Sequence, residues 1–181
     1  MASLVIELSP QEEQTAFNVK RWEELCADPQ WQKWEGRIET DRHGHVMLNP
    51  LPEYGHGCFG YQIARLLDSL LKGGVVSTEC PISTADGMRG ADVVWVSKER
   101  RKKIQSRLCL AEAPEICVEV LSPSNRKREM AEKKTLYFLA EAAEVWFCNG
   151  KGRMTFFTNP NDSGSKRSSF CPAFPTKVEQ E

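Results

Sequence analysis

Nothing in the sequence approaches the roughly 18 consecutive apolar residues of a membrane-spanning helix. Met1 to Leu8 also lacks the basic start and long apolar stretch of a signal peptide. There is no excess of charge of either sign: 24 Lys+Arg face 25 Asp+Glu, a formal net charge of -1. Bulk charge therefore argues against a nucleic-acid coat or a membrane-surface binder. No CxxC or CxxH pair occurs, and the seven cysteines, odd in number and widely spaced, read as reduced buried thiols rather than a zinc or disulfide framework. Internal repeats, a glycine-rich phosphate loop and a GxSxG nucleophile elbow are missing too, which sets nucleotide-binding and hydrolase folds aside. What these absences leave is a soluble, cytoplasmic, single-domain protein of 181 residues, 40% of them hydrophobic, enough for a substantial core.

The apolar pattern divides that domain. Residues 1–14 are polar and read as a flexible lead-in. Ala16, Phe17, Val19, Trp22 and Leu25 then recur at helical spacing, predicting a helix over 15–26. Residues 35–47, centred on Asp41-Arg42-His43-Gly44, read as two short strands about a turn, with Glu39 on the first. A second helix over 55–71 carries Phe59, Ile63, Leu66, Leu67 and Leu70 on one stripe and stops at Gly73-Gly74. Three strand-like runs follow at 75–80, 91–96 and 115–121, the last two separated by a basic excursion over 97–113. A third helix runs from the Ser122-Pro123-Ser124-Asn125 cap to about Ala142, and a hairpin around Asn149-Gly150 closes the domain at 158. Residues 159–181, rich in Asn, Ser, Gly and Lys near their start, read as a mobile tail. The order αββαββ(loop)βαββ predicts an α/β fold, a central mixed β-sheet flanked by α-helices.

Two acids stand in strands that otherwise read as buried. Glu119 lies inside Ile116-Cys117-Val118-Glu119-Val120-Leu121, and Asp92 heads Val93-Val94-Trp95-Val96. A carboxylate in such a run is costly unless it is paired, protonated or bound to a cation. Glu119 could meet an arginine at a sheet edge, and Asp92 could simply open a strand. At roughly 100° per residue, Met130, Leu136, Tyr137 and Ala140 fall within about 60° of Lys133, which places that lysine at the centre of the third helix's apolar face; Lys134 falls outside it. An ammonium and a carboxylate thus come to facing elements, either as a structural ion pair or around a metal and a substrate anion. The lysine stem could also snorkel to the surface. With Glu39, the set has the composition that metal-assisted phosphodiester cleavage requires: oxygen ligands for a divalent cation and a lysine to stabilise charge.

Gly90-Ala91-Asp92-Val93-Val94-Trp95-Val96, then Pro114-Glu115-Ile116-Cys117-Val118-Glu119-Val120-Leu121-Ser122-Pro123-Ser124, then Glu132-Lys133 with Tyr137 and Glu144-Val145-Trp146, resemble the Uma-two family of endonucleases in the PD-(D/E)XK restriction-endonuclease-like superfamily. The similarity covers about 17–157. The resemblance implies a restriction-endonuclease-like core, Asp92 and Glu119 as metal ligands, Glu39 as the family's early acid, and His56 as a histidine that often opens the following helix. Ala91 replaces the usual proline before the first acid. Leu121 stands where the superfamily has its lysine, and Lys133, arriving from the next helix, is the natural substitute.

These readings converge on an endonuclease for DNA that uses Mg²⁺ or Mn²⁺, with Glu39, Asp92, Glu119 and Lys133 catalytic and His56 and Tyr137 accessory. Between Lys98 and Lys134 there are 11 Lys/Arg and 6 Asp/Glu, against 13 and 19 in the remainder, so the near-neutral total hides a basic segment. Arg100, Arg101, Lys102, Lys103, Arg126, Lys127 and Arg128 are its candidate phosphate contacts. The same residues suit RNA, and a non-catalytic binding module on this fold is the rival class. Cutting two strands is simplest with two sites, which makes a homodimer one expected assembly.

Overall fold

The computed structural model describes residues 11–104, 108–122 and 127–180. In chain order these form helix α1 (Gln11–Ala27), the hairpin β1 (Gly36–Thr40) and β2 (Val46–Pro50), helix α2 (Tyr54–Leu70), strands β3 (Gly74–Thr84) and β4 (Gly87–Ser97), a short helix α3 (Lys98–Arg101), strand β5 (Ile116–Val120), helix α4 (Lys127–Leu139), and strands β6 (Glu144–Cys148) and β7 (Met154–Phe157). The expected sequence of elements is present, with α3 added inside the basic excursion. Helix α1 starts at Gln11, so residues 11–14 of the expected lead-in are helical; residues 1–10 and the cap residues 123–125 lie outside the described residues.

Strands β3 to β7 form one sheet in sequence order, antiparallel except for the parallel pair β5–β6, which α4 connects. A parallel pair needs such a crossover, and this one delivers α4 to one face of the sheet directly after β5. Two buried cores result. Phe59, Ile63 and Leu67 of α2 pack on Val93, Trp95, Ile116, Val118 and Trp146. Tyr137, near the C-terminal end of α4, and Ala140, just after it, pack with Val94, Cys117 and Val145. Alternation along β5 therefore sends Ile116, Val118 and Val120 toward α2, and puts Glu119 on the α4 side with Cys117.

The β1–β2 hairpin is a separate two-stranded sheet that rides on β4. The Met88 amide donates to Thr40 Oγ1 at 3.0 Å, and Arg89 donates to the Thr40 carbonyl. Gly87, at φ 90° after the β3–β4 turn, makes this docking feasible, because a Cβ there would overlap the Thr40 carbonyl and the Asp41 backbone.

The expected mobile tail is instead part of the packed body. Cys171, Phe174 and Val178 enter the α2-side core, an apolar spacing that the polar residues before it obscure. Its anchor is Glu144, 2% exposed, which accepts from Ser168 Oγ at 2.6 Å, from the Ser169 and Phe170 amides at 2.7 and 2.8 Å, and from Trp146 Nε1 at 2.7 Å. Four donors satisfy a buried carboxylate with no cation. Truncating it strands buried donors, each worth about 1–3 kcal/mol. Glu144→Ala should therefore lower unfolding free energy in urea by at least about 2 kcal/mol; an unchanged midpoint would show that the segment is held in some other way.

Candidate active site

Three carboxylates and a lysine meet where the hairpin, β4, β5 and α4 converge. Glu39, next to the end of β1, accepts from the Gly90 amide at 2.9 Å. Glu119, next to the end of β5, accepts from Tyr137 Oη at 2.6 Å. Lys133 Nζ lies 3.0 Å from Glu39 Oε1 and 3.3 Å from both Glu119 oxygens, and donates to the Gly90 carbonyl at 3.0 Å. The helical-wheel placement of Lys133 is thus what the structure shows, and the snorkelling alternative is not. Lys134 departs from expectation: it too is buried, donating to the Asp162 carbonyl at 3.1 Å with its ammonium 4.4 Å from the Phe157 ring centroid, because residues beyond β7 cover a second face of α4.

Asp92 forms the other half of the site. Its Oδ1 pairs with Arg37 at 2.5 Å; its Oδ2 accepts from the Val120 amide at 2.6 Å and lies 3.1 Å from His56 Nε2, in the first turn of α2. Arg37 also pairs with Glu79 at 2.5 Å. Glu79 sits between the pairs Thr78–Val93 and Cys80–Ala91, facing Asp92 across the β3–β4 ladder, and takes φ 51°, an unusual conformation for a non-glycine residue inside a strand. Such strain persists only where the surroundings over-determine it, and here the Arg37 bridge ties the distorted residue to Asp92. The cleft, of about 260 Å³, is lined by Glu39, His56, Asp92, Glu119, Ser122 and Lys133 among others.

The protonation equilibria follow from this crowding. Burial pushes the Glu119 carboxyl up, Lys133 pulls it down, and the nearby Asp92 and Glu39 charges push it up again, leaving it at about 7. Burial favours neutral Asp92, yet His56, Arg37 and the Val120 amide together hold it below the ordinary carboxylate value. His56 is raised because Asp92 outweighs its burial. Lys133 is raised because Glu119 and Glu39 do the same, so it keeps its proton at neutral pH.

The basic residues divide. Arg100 is committed internally, donating to the Ala113 and Glu141 carbonyls and lying 3.6 Å from Glu115. Arg101, Lys102 and Lys103 are exposed, but at the end of β5 opposite Glu119. Lys127 and Arg128 are exposed beside Glu129, which lines the cleft; Arg126 lies outside the described residues. Sequence reasoning missed Arg37, Glu79 and Gly90. Arg37 had a signal, standing two residues before Glu39 and so on the same face of one strand; Glu79 had none, since its strain and its partner arise only in the folded chain.

A mixed sheet with helices on its faces and a carboxylate–lysine cluster at its centre places the protein among the restriction-endonuclease-like folds. The chain belongs to the Uma2 (Uma-two) family, described as "putative restriction endonuclease", whose family model matches residues 22–178. Its structure is similar to the crystal structure of a protein described as a putative nuclease from Anabaena variabilis, with a TM-score of 0.67 and 14% sequence identity over 86% of this chain and 93% of that one. No curated protein matches the chain. No helix among the described residues is long and apolar enough to cross a membrane.

A folded-state pKa near 7, against an ordinary 4.5, means that the folded protein binds the Glu119 proton more tightly than the unfolded chain. The resulting stabilisation is full below about pH 4.5 and is lost as pH rises toward 7. His56, also raised, acts in the same sense. Across this window Glu119→Gln should flatten the decline in urea-measured stability, by up to about 3 kcal/mol; parallel profiles for variant and wild type would contradict the assignment.

Proposed function

We propose that the protein is a metal-dependent endonuclease hydrolysing phosphodiester bonds in DNA, with Asp92 and Glu119 holding Mg²⁺ or Mn²⁺. The observation that carries this reading is Lys133, which reaches from the helix after β5 to bridge Glu39 and Glu119 although Leu121 stands at the superfamily's lysine position. The donor set suits a hard divalent cation. Glu39, Glu79, Asp92 and Glu119 bring four carboxyl groups against the permanent cations Arg37 and Lys133, a set of hard oxygen donors. When bound, the ion polarises a phosphoryl oxygen and lowers the pKa of a coordinated water.

The chain's own residues have distinct tasks. Lys133, which keeps its proton, stabilises negative charge on the phosphoryl oxygens rather than accepting a proton. Glu39, fixed by the Gly90 amide, holds the ammonium in place, and Tyr137 orients Glu119 from the core. His56 and Arg37 keep Asp92 ionised. Lys127 and Arg128, next to the cleft, contact flanking phosphates, so binding weakens with salt.

A second reading, a non-catalytic binding module, draws on one observation. Both Asp92 oxygens already have partners, and among the described residues no three acid, imidazole or thiol groups stand at metal-holding spacing. In the nuclease reading Asp92 and Glu119 would hold the ion, and Asp92 would have to give up part of its contact with Arg37 to do so. Thermal denaturation separates the two readings: Mn²⁺ should raise Tm in wild type and much less in Asp92→Ala. Equal shifts would remove the metal assignment.

Plasmid cleavage tests the activity itself. Wild type should nick or linearise plasmid with Mg²⁺ or Mn²⁺ and not with chelator, while Glu119→Ala and Lys133→Ala should lose about 100-fold or more in rate. Matched activity in all three proteins would assign the cleavage to a contaminant.

A further inference from the structure

We infer that a second cavity, beside the acid–lysine cleft, receives an unpaired nucleobase of the substrate strand. This deepens the nuclease reading and rests on it. The cavity measures about 580 Å³, within the range of small-molecule sites. Of the chain's five tryptophans, Trp95 and Trp146 are buried in the core, and the other three, Trp22, Trp31 and Trp34, line this cavity. Trp22 and Trp31 are half-buried and Trp34 is 42% exposed, so three indoles remain open to a flat partner. Pro81 and Met88 add apolar wall.

Continuity identifies the occupant. Arg37, Glu39 and the Leu51-Pro52 segment line both this cavity and the cleft. A strand whose phosphate lies against Lys133 therefore brings an adjoining nucleotide to the shared wall, with the tryptophans beyond it. Aromatic side chains are the usual means of holding unpaired bases, because every base offers a π-face. A base inside a duplex is not available to such a wall, so the cavity selects single-stranded, frayed or extruded nucleotides. Gly36 fits this arrangement: a Cβ there would stand 2.6 Å from Trp34 Nε1 and 2.5 Å from the Asn49 carbonyl, so the glycine lets the indole lie across the start of β1.

The test is equilibrium binding with a chelator present, so that cleavage does not intervene. The probes are a short oligothymidylate and an oligomer of equal length whose sugars carry no bases. Wild type should bind the base-bearing oligomer about tenfold more tightly, the effect of roughly one stacked base. Trp34→Ala and Trp31→Ala should lose that preference, and Trp34→Phe should keep it; unchanged thermal unfolding of Trp34→Ala separates a local effect from misfolding. Equal affinity of wild type for both oligomers, with plasmid cleavage intact, would overturn this inference and leave the nuclease reading standing. A base preference without cleavage would support the cavity and remove the nuclease reading. Failure to bind either oligomer would overturn both. A wild-type dimer that Trp34→Ala dissociates would make the cavity an interface between copies and overturn the inference.

Discussion

A carboxylate buried in the centre of a sheet needs a compensating charge, and Lys133 supplies it for Glu119. Ion pairs of this kind contribute little net stability, because desolvating both partners offsets most of their attraction. Removing either partner, however, leaves an uncompensated buried charge at a cost of about 3–5 kcal/mol. The pair is therefore better understood as a constraint than as a source of stability. It requires α4 to lie across β5 in one register, which the β5–α4–β6 crossover provides, and it requires Glu39 to arrive from the hairpin as the second partner of the same ammonium.

That second requirement explains features that look incidental when taken singly. Gly87 removes the side chain that would keep β1 off β4, Gly90 offers its amide to Glu39 and its carbonyl to Lys133, and the Thr40 contacts hold the strand end in place. Asp92 is managed by different means. Arg37, His56 and the Val120 amide surround it, and Arg37 also bridges to Glu79, whose backbone takes φ 51°. One half of the site is thus organised by a lysine from the α4 side and the other by an arginine and a histidine reached from the hairpin and α2.

Charge is distributed on the same principle throughout the molecule. Glu144 is satisfied by neutral donors, and it anchors the C-terminal segment. Glu119 is paired with a cation and remains raised, chiefly because it is buried and secondarily because Asp92 and Glu39 lie near it. Arg100 is absorbed by carbonyls and Glu115 at the far end of β5, so the basic count over 98–134 overstates how many cations face the cleft.

The sequence by itself determined the succession of helices and strands, the place of Glu119 inside an apolar strand, and the position of Lys133 on the inner face of its helix, whereas Asp92, expected at the head of a strand, proves to lie buried in the middle of β4. The first three are local properties: strand alternation and the helical repeat are written in residues a few positions apart. The resemblance to a nuclease family added His56 and tied Glu39, a candidate from the hairpin, to the same site. Only the tertiary structure decided that Arg37 and Glu79 belong beside Asp92, that Arg100 is occupied elsewhere, that Lys134 is buried, and that residues after 158 complete the core. Each depends on partners far away in the chain, and residue spacing carries no information about which distant surface a side chain will meet.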